Sequence, residues 1–341
     1  MAREKKDKTR LSAYKEIPFL YSVWYIVLLS ALVYLTWFFD VGVYGVFAVL
    51  VLCGFILAFC RDLTPAVPFA FFVPQFFSGR MSAANGYLFY IIGFSFVIIG
   101  FIVHLVRFRP FENYGKVKGF PSALFFAGIA IALGGVTIPN RSLYPALICV
   151  GCGLAFAFAG FFVVGSFGKD GKERLVKIVI TTIIAASVLA AVQMFTVIFR
   201  TGDPIGAIKN KYAIDTGYGH PNYLANIISR SIPLAVWLSV RNKKDSPLWL
   251  FFAFFLGICI LITSSRAVLL VALILSVACL IYFFPKLENK IPWVCCLAML
   301  IGISMMGLGA IGDRITKLFA TITKNGFNSS GRFDLWKIGL E

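Results

Sequence analysis

Charged residues are what this chain has least of. Asp, Glu, Lys and Arg make up 14% of its 341 residues, against 60% hydrophobic and 16% aromatic. A soluble domain of this size is about a quarter charged and nearer half apolar. The 36 Phe are more than a water-soluble core would hide. A soluble globular protein is therefore excluded, and a polytopic, all-α membrane protein is expected.

Acidic residues are scarcer still, 15 against 32 Lys and Arg, for a formal net charge of +17. On a soluble chain that excess would point to nucleic acid. Here no Lys- or Arg-rich helix with interleaved aromatics is present, and the basic residues sit in short connections between apolar runs. Topology and anionic membrane lipids account for them, and no nucleic-acid partner is expected. The eight Cys lie inside or at the ends of apolar runs, and Cys149-x-x-Cys152 has no further Cys or His nearby. That reads as small buried hydrophobes rather than a zinc or redox motif. The two halves show no repeat, and there is no low-complexity tract.

What the chain has in abundance is hydrocarbon. Met1 to Lys15 is basic and polar, and residues 19–39 then run apolar for 21 residues. A cleavable leader has a shorter core and a small-residue exit site, which Trp37-Phe-Phe-Asp40 does not resemble, so this run is a retained first helix. Runs of membrane length follow at about 42–60, 63–78, 86–106, 120–138, 143–165, 175–199, 222–240, 247–264, 267–284 and 291–311. With the first they make about eleven transmembrane helices, each able to cross a core of roughly 30 Å. The expected organisation is a cytoplasmic basic N-terminus (1–18), a transmembrane domain (19–311) and the start of an extracytoplasmic loop (312–341).

The weakest run is 63–78, with Pro65, Pro68 and Pro74, which reads as broken or re-entrant. If it fails to cross, every later orientation inverts. If it crosses and the N-terminus is inside, 20 Lys and Arg fall on the cytoplasmic side and 11 on the outer side, with Arg230 inside a helix. That distribution follows the positive-inside rule. It predicts a multi-pass protein of the cytoplasmic membrane with 200–221, Ser264-Ser-Arg266 and 312–341 facing outward. Gly331-Arg-Phe-Asp-Leu-Trp-Lys-Ile-Gly-Leu-Glu341 reads as the amphipathic opening of another helix, so the sequence is expected to continue beyond Glu341.

Polar chemistry concentrates in three places. Asn222, Asn226 and Arg230 follow one another at i, i+4 and stack on one helix face, behind His220 and Pro221 at the helix mouth. Arg230 would lie about 12 Å down the axis, where a charge costs roughly 2.5–3.5 kcal/mol on insertion scales. It calls for an anionic site or, on the plainer reading, for backbone carbonyls, Asn226 and Gln193 as structural partners. Pro233, one turn on, would bend this helix and free a carbonyl. Gln193 lies in the outer part of the preceding run, where it could line the same cavity or make a packing hydrogen bond. Arg266 follows Ser264-Ser265 and interrupts the apolar stretch 247–284; it is either a snorkelling turn residue or, beside hydroxyls and free N–H groups, a phosphate ligand. Arg332 follows Ser329-Ser-Gly331 and carries the same two readings.

In combination these segments resemble the O-antigen ligase and polymerase family. Gly219-His-Pro-Asn-Tyr-Leu-Ala-Asn226 looks like that family's Gly-x-Pro-Asn-aromatic-Leu-Ala segment, and Thr263-Ser-Ser-Arg-Ala-Val-Leu-Leu-Val271 like its Ser-Arg-small-x-Leu-Leu motif. Gly331-Arg-Phe-Asp-Leu-Trp336 looks like its Gly-Arg-x-x-x-Trp, at the start of a large outer loop. The likeness covers about 217–341; earlier residues match only as apolar helices.

The resemblance implies a GT-C-like helical glycosyltransferase without metal or cofactor. It would move an oligo- or polysaccharide from an undecaprenyl-diphosphate carrier to a glycan, lipid or protein acceptor outside the membrane. Arg266 and Arg332, with Arg230, would hold the diphosphate, while Gln193, Asn222, Asn226 and Ser265 would line the cavity. The family's proposed base is a His beyond the Gly-Arg-x-x-x-Trp segment. The only histidines here, His104 and His220, do not match that position, which leaves Asp334, Asp215 and His220 as candidates. Two other classes stay open: a transporter with an intramembrane anion site at Arg230, and a non-catalytic, truncated relative.

Overall fold

The computed structural model describes residues 17–76, 83–108, 128–129, 171–214, 216–217, 221–241, 246–263, 265, 268, 271, 274–275, 278, 281–286, 290–295 and 298. Among them every regular element is a helix: α1 (Val23–Phe38), α2 (Gly42–Phe59), α3 (Val67–Phe76), α4 (Ala83–Phe108), α5 (Gly171–Arg200), α6 (Pro204–Lys209), α7 (Pro221–Ser229), α8 (Ser231–Arg241) and α9 (Ser246–Thr263), with short 3-10 turns between some of them. Five stretches are long and apolar enough to cross a membrane, namely α2, Leu88–Phe108 of α4, Glu173–Arg200 of α5, Pro221–Arg241 and α9. The expected runs at 120–138 and 143–165 lie almost wholly outside the described residues, and those at 267–284 and 291–311 are described only in scattered pieces. The tail 312–341 is also outside them. The chain divides into two compact units, Met1–Ala185 and Ala186–Glu341, with the boundary inside α5.

In the first unit α2 and α4 run side by side in the same direction. Tyr44 and Phe47 meet Phe89, Leu50 meets Gly93, Phe55 meets Phe96, and the Leu57 carbonyl meets His104 Nδ1 at 2.9 Å. The order of partners rises together along both helices, which makes the pair parallel. Glycine permits the contact: a Cβ on Gly54 would sit 2.5 Å from the Phe96 carbonyl oxygen, and one on Gly100 would collide with the Gly54 carbonyl. Without a hydrophobic drive between helices in lipid, close backbone approach of this kind is what holds them. The outer side of α4 is apolar and exposed, Val106 at 72% and Ile98 at 58%, as a lipid-facing surface should be.

Because α2 and α4 are parallel, the chain leaving Phe59 must return to the opposite end before α4 starts at Ala83. This is the direction that the charge distribution asks of 63–78. The run departs from a simple span, however. A 3-10 turn at Thr64–Ala66 leads into α3, whose ten residues rise only about 15 Å, half of a hydrocarbon core. The turn is buried and its polar groups are met locally. Asp62 accepts from the Thr64 backbone N–H (2.9 Å) and hydroxyl (2.6 Å), and Tyr25 donates to the Pro65 carbonyl (2.8 Å). That last bond ties the start of α1 to the end of α2, so these two helices are antiparallel.

In the second unit α5, α7, α8 and α9 enclose one apolar cluster. Ala190, Met194 and Ile198 of α5 meet Leu224 and Ile228 of α7, Ile232 of α8, and Leu256 and Ile260 of α9. The connection from α5 to α7 is part of it through Ala207 and Ile214. Gly202, at φ +73°, ends α5 in the left-handed region open to glycine. Asp203 then caps α6 by accepting from the Gly206 N–H at 2.9 Å, ahead of Pro204 in the first turn.

Candidate functional site

The expected single helix over 222–240 is interrupted. α7 stops at Ser229, Arg230 is a turn residue, and α8 restarts at Ser231. Pro233 explains the position, since it has no N–H for the Ser229 carbonyl and its ring crowds that carbonyl. The break therefore falls one turn before the proline. Arg230 is the tenth residue of the 21-residue span Pro221–Arg241, near its middle.

Ending a helix there leaves the last carbonyls of α7 in need of donors. Two serines supply donors, and a third supports one of them. Ser229 Oγ donates to the Asn226 carbonyl at 3.0 Å. Ser187 Oγ, from α5, donates to the Ile227 carbonyl at 2.8 Å, and Ser231 Oγ donates to Ser187 Oγ at 2.7 Å. Ser229, Ser231 and Ser187 are all buried, whereas Arg230 between the first two is exposed. Sequence reasoning missed Ser187, Ser229 and Ser231, because a lone serine in an apolar run has no periodic signature; a Ser-Arg-Ser triplet just before a proline was the available signal.

The site residues expected from sequence fall into two environments. Asn226 and Arg230 are exposed and Asn222 is half-buried, on one side of α7, while Leu224, Ala225 and Ile228 turn inward. Gln193, next in sequence to Met194 on α5, is fully buried, and Ser265 is fully buried too. The expectation of one shared cavity thus meets a structure that buries Gln193 and leaves Arg230 open. Thr196, beside Gln193, bonds its own helix at the Val192 carbonyl (2.8 Å). His220, Arg266 and Arg332 lie outside the described residues.

The backbone nevertheless gathers the neighbours of the first two, Pro221 and Ser265. Four residues separate the end of α8 from the start of α9, which packs on both α8 and α7. It therefore runs back about 27 Å to the end where α7 starts. Ser265 follows α9 directly, so it and Pro221 share one end of this unit, together with the end of α5 and the buried Thr216 and Gly217. Motifs more than 40 residues apart in sequence are brought to one place.

No curated protein and no solved structure matches the chain. Residues 251–341, which take in most of α9, Ser265-Arg266 and the Gly331-Arg332 segment, match the family model described as O-Antigen ligase, the family that the three sequence motifs resemble.

Proposed function

We propose that this is a membrane glycosyltransferase, moving an oligo- or polysaccharide from an undecaprenyl-diphosphate carrier to an acceptor at the outer face of the cytoplasmic membrane. The observation that carries the reading is the O-antigen ligase match over 251–341, which contains both Arg266 and Arg332. The gathering of Pro221 and Ser265 at one end of the second unit supports it. In this reading an acceptor hydroxyl attacks the anomeric carbon, and the sugar–phosphate bond breaks with its electrons passing to the diphosphate. Arg266 and Arg332, with Arg230, hold the diphosphate and stabilise that growing charge. His220, next in sequence to Pro221 at the start of α7, takes the hydroxyl proton in this reading, with Asp215 and Asp334 as the alternatives. Asn222 and Asn226, on the same side of α7 as Arg230, line the path of the substrate, while the buried Gln193 and Ser265 back that surface from inside the bundle. The full architecture is a GT-C-like bundle of about eleven spans with its N-terminus inside.

The test is surface glycan in cells carrying Arg266→Ala or Arg332→Ala, with insertion of the protein checked alongside. Loss of transferred glycan with normal insertion is expected, and normal surface glycan in both variants contradicts the proposal. The interrupted span at Arg230, paired with the short α3, is the observation that favours a second reading, an anion transporter built on discontinuous helices. Arg230-dependent uptake into vesicles, without glycan transfer, would select it.

A further inference from the structure

We propose that Ser187 and Ser231 are positioning residues for Arg230, a role that rests on the reading of Arg230 as a ligand of the donor diphosphate. The direction in which Arg230 leaves the chain is set by the break between α7 and α8, because it is the single turn residue there. A broken helix in lipid has no water to satisfy its carbonyls, so its geometry follows the donors that reach it. Ser231 Oγ gives its proton to Ser187 Oγ at 2.7 Å, and Ser187 Oγ gives its own to the Ile227 carbonyl at 2.8 Å. One hydroxyl thus comes from α8, the carbonyl from α7, and the link between them from α5. The relay straddles Arg230 on both sides and pins both half-helices to the same atom.

The consequence is directional. With Ser229 and Ser231 both buried, the backbone turns them toward α5 and the apolar cluster, and Arg230 is left on the opposite, exposed side. Asn226, one helical turn earlier, is exposed on that same side. The relay therefore aims a guanidinium and an amide at one strip, the side from which a diphosphate must approach. Removing the Ser187 hydroxyl leaves the Ile227 carbonyl without this donor and lets Pro233 alone decide the bend. Arg230 keeps its charge and loses its aim.

Binding of undecaprenyl diphosphate to the full chain in nanodiscs measures this without requiring transfer. Ser187→Ala should weaken binding about fivefold on the native background and less than about twofold on the Arg230→Ala background, the signature of coupled residues. Ser231→Ala should behave in the same way, and Ser187→Thr, which keeps a hydroxyl, should restore most of the affinity. If Arg230→Ala leaves binding unchanged, the assignment of Arg230 as a diphosphate ligand fails. If Arg230→Ala weakens binding but the serine losses are equal on both backgrounds, the serines are merely structural and the positioning proposal is overturned. Should Ser187→Ala fail to insert, the Ser231→Ala cycle decides alone by the same criterion.

Discussion

Both units contain a span that breaks, and they deal with the break in opposite ways. In the first, the turn at Thr64–Ala66 turns a carboxylate inward. Asp62 is buried and satisfied within two residues by Thr64, and Tyr25 closes the turn from α1. In the second, the break at Arg230 turns neutral hydroxyls inward and leaves the charge outside. Its hydroxyl partner comes from another helix: Ser187 donates to the Ile227 carbonyl 40 residues on and accepts from Ser231, 44 residues on. The first arrangement completes a structural corner and ends there. The second holds a cation in mid-span open on one side, an expensive choice in a membrane unless something anionic meets it. The difference teaches where to look for function: not at the break as such, but at the break that leaves its charge unburied.

Substitutions can break this contrast or sharpen it. The largest effect is expected at the seam of α2 and α4. Gly54→Leu would force a side chain against the Phe96 carbonyl and should cost about 3 kcal/mol or more, as overpacking against backbone does. Thermal unfolding in detergent would read this as loss of the folded first unit. Asp62→Ala should cost about 1–2 kcal/mol, since it removes a capping carboxylate and strands two buried donors; the same melts would show it. Tyr25→Phe deletes one buried hydrogen bond and should cost about 1 kcal/mol. Asn226→Ala lies at the other extreme: on the exposed strip its effect on stability should stay within about 0.5 kcal/mol. Donor binding should nonetheless fall in that variant. A large stability loss from Asn226→Ala would remove the distinction between the two breaks.

Much of this was legible in the chain itself. The five spans show as apolar runs, Pro221 marks the start of α7, and Pro233 announces a bend. The three prolines of 63–78 announce a helix that cannot be continuous, though not that the turn would be sealed by Tyr25, because a tyrosine 40 residues away carries no local signal. The parallel pairing of α2 and α4 is equally silent in sequence. Gly54, Gly93 and Gly100 read only as small residues until their partners are known. The burial of Gln193 against the exposure of Arg230 was also out of reach, since helical spacing relates residues on one helix and says nothing of how two helices rotate against each other.

The most direct test of the central claim uses the full chain in liposomes with an undecaprenyl-diphosphate-linked glycan and an acceptor, and follows release of undecaprenyl diphosphate. Release that depends on acceptor and disappears in Arg266→Ala is the predicted result. No release from the native protein with any acceptor class, or release that Arg266→Ala leaves unchanged, would contradict the account.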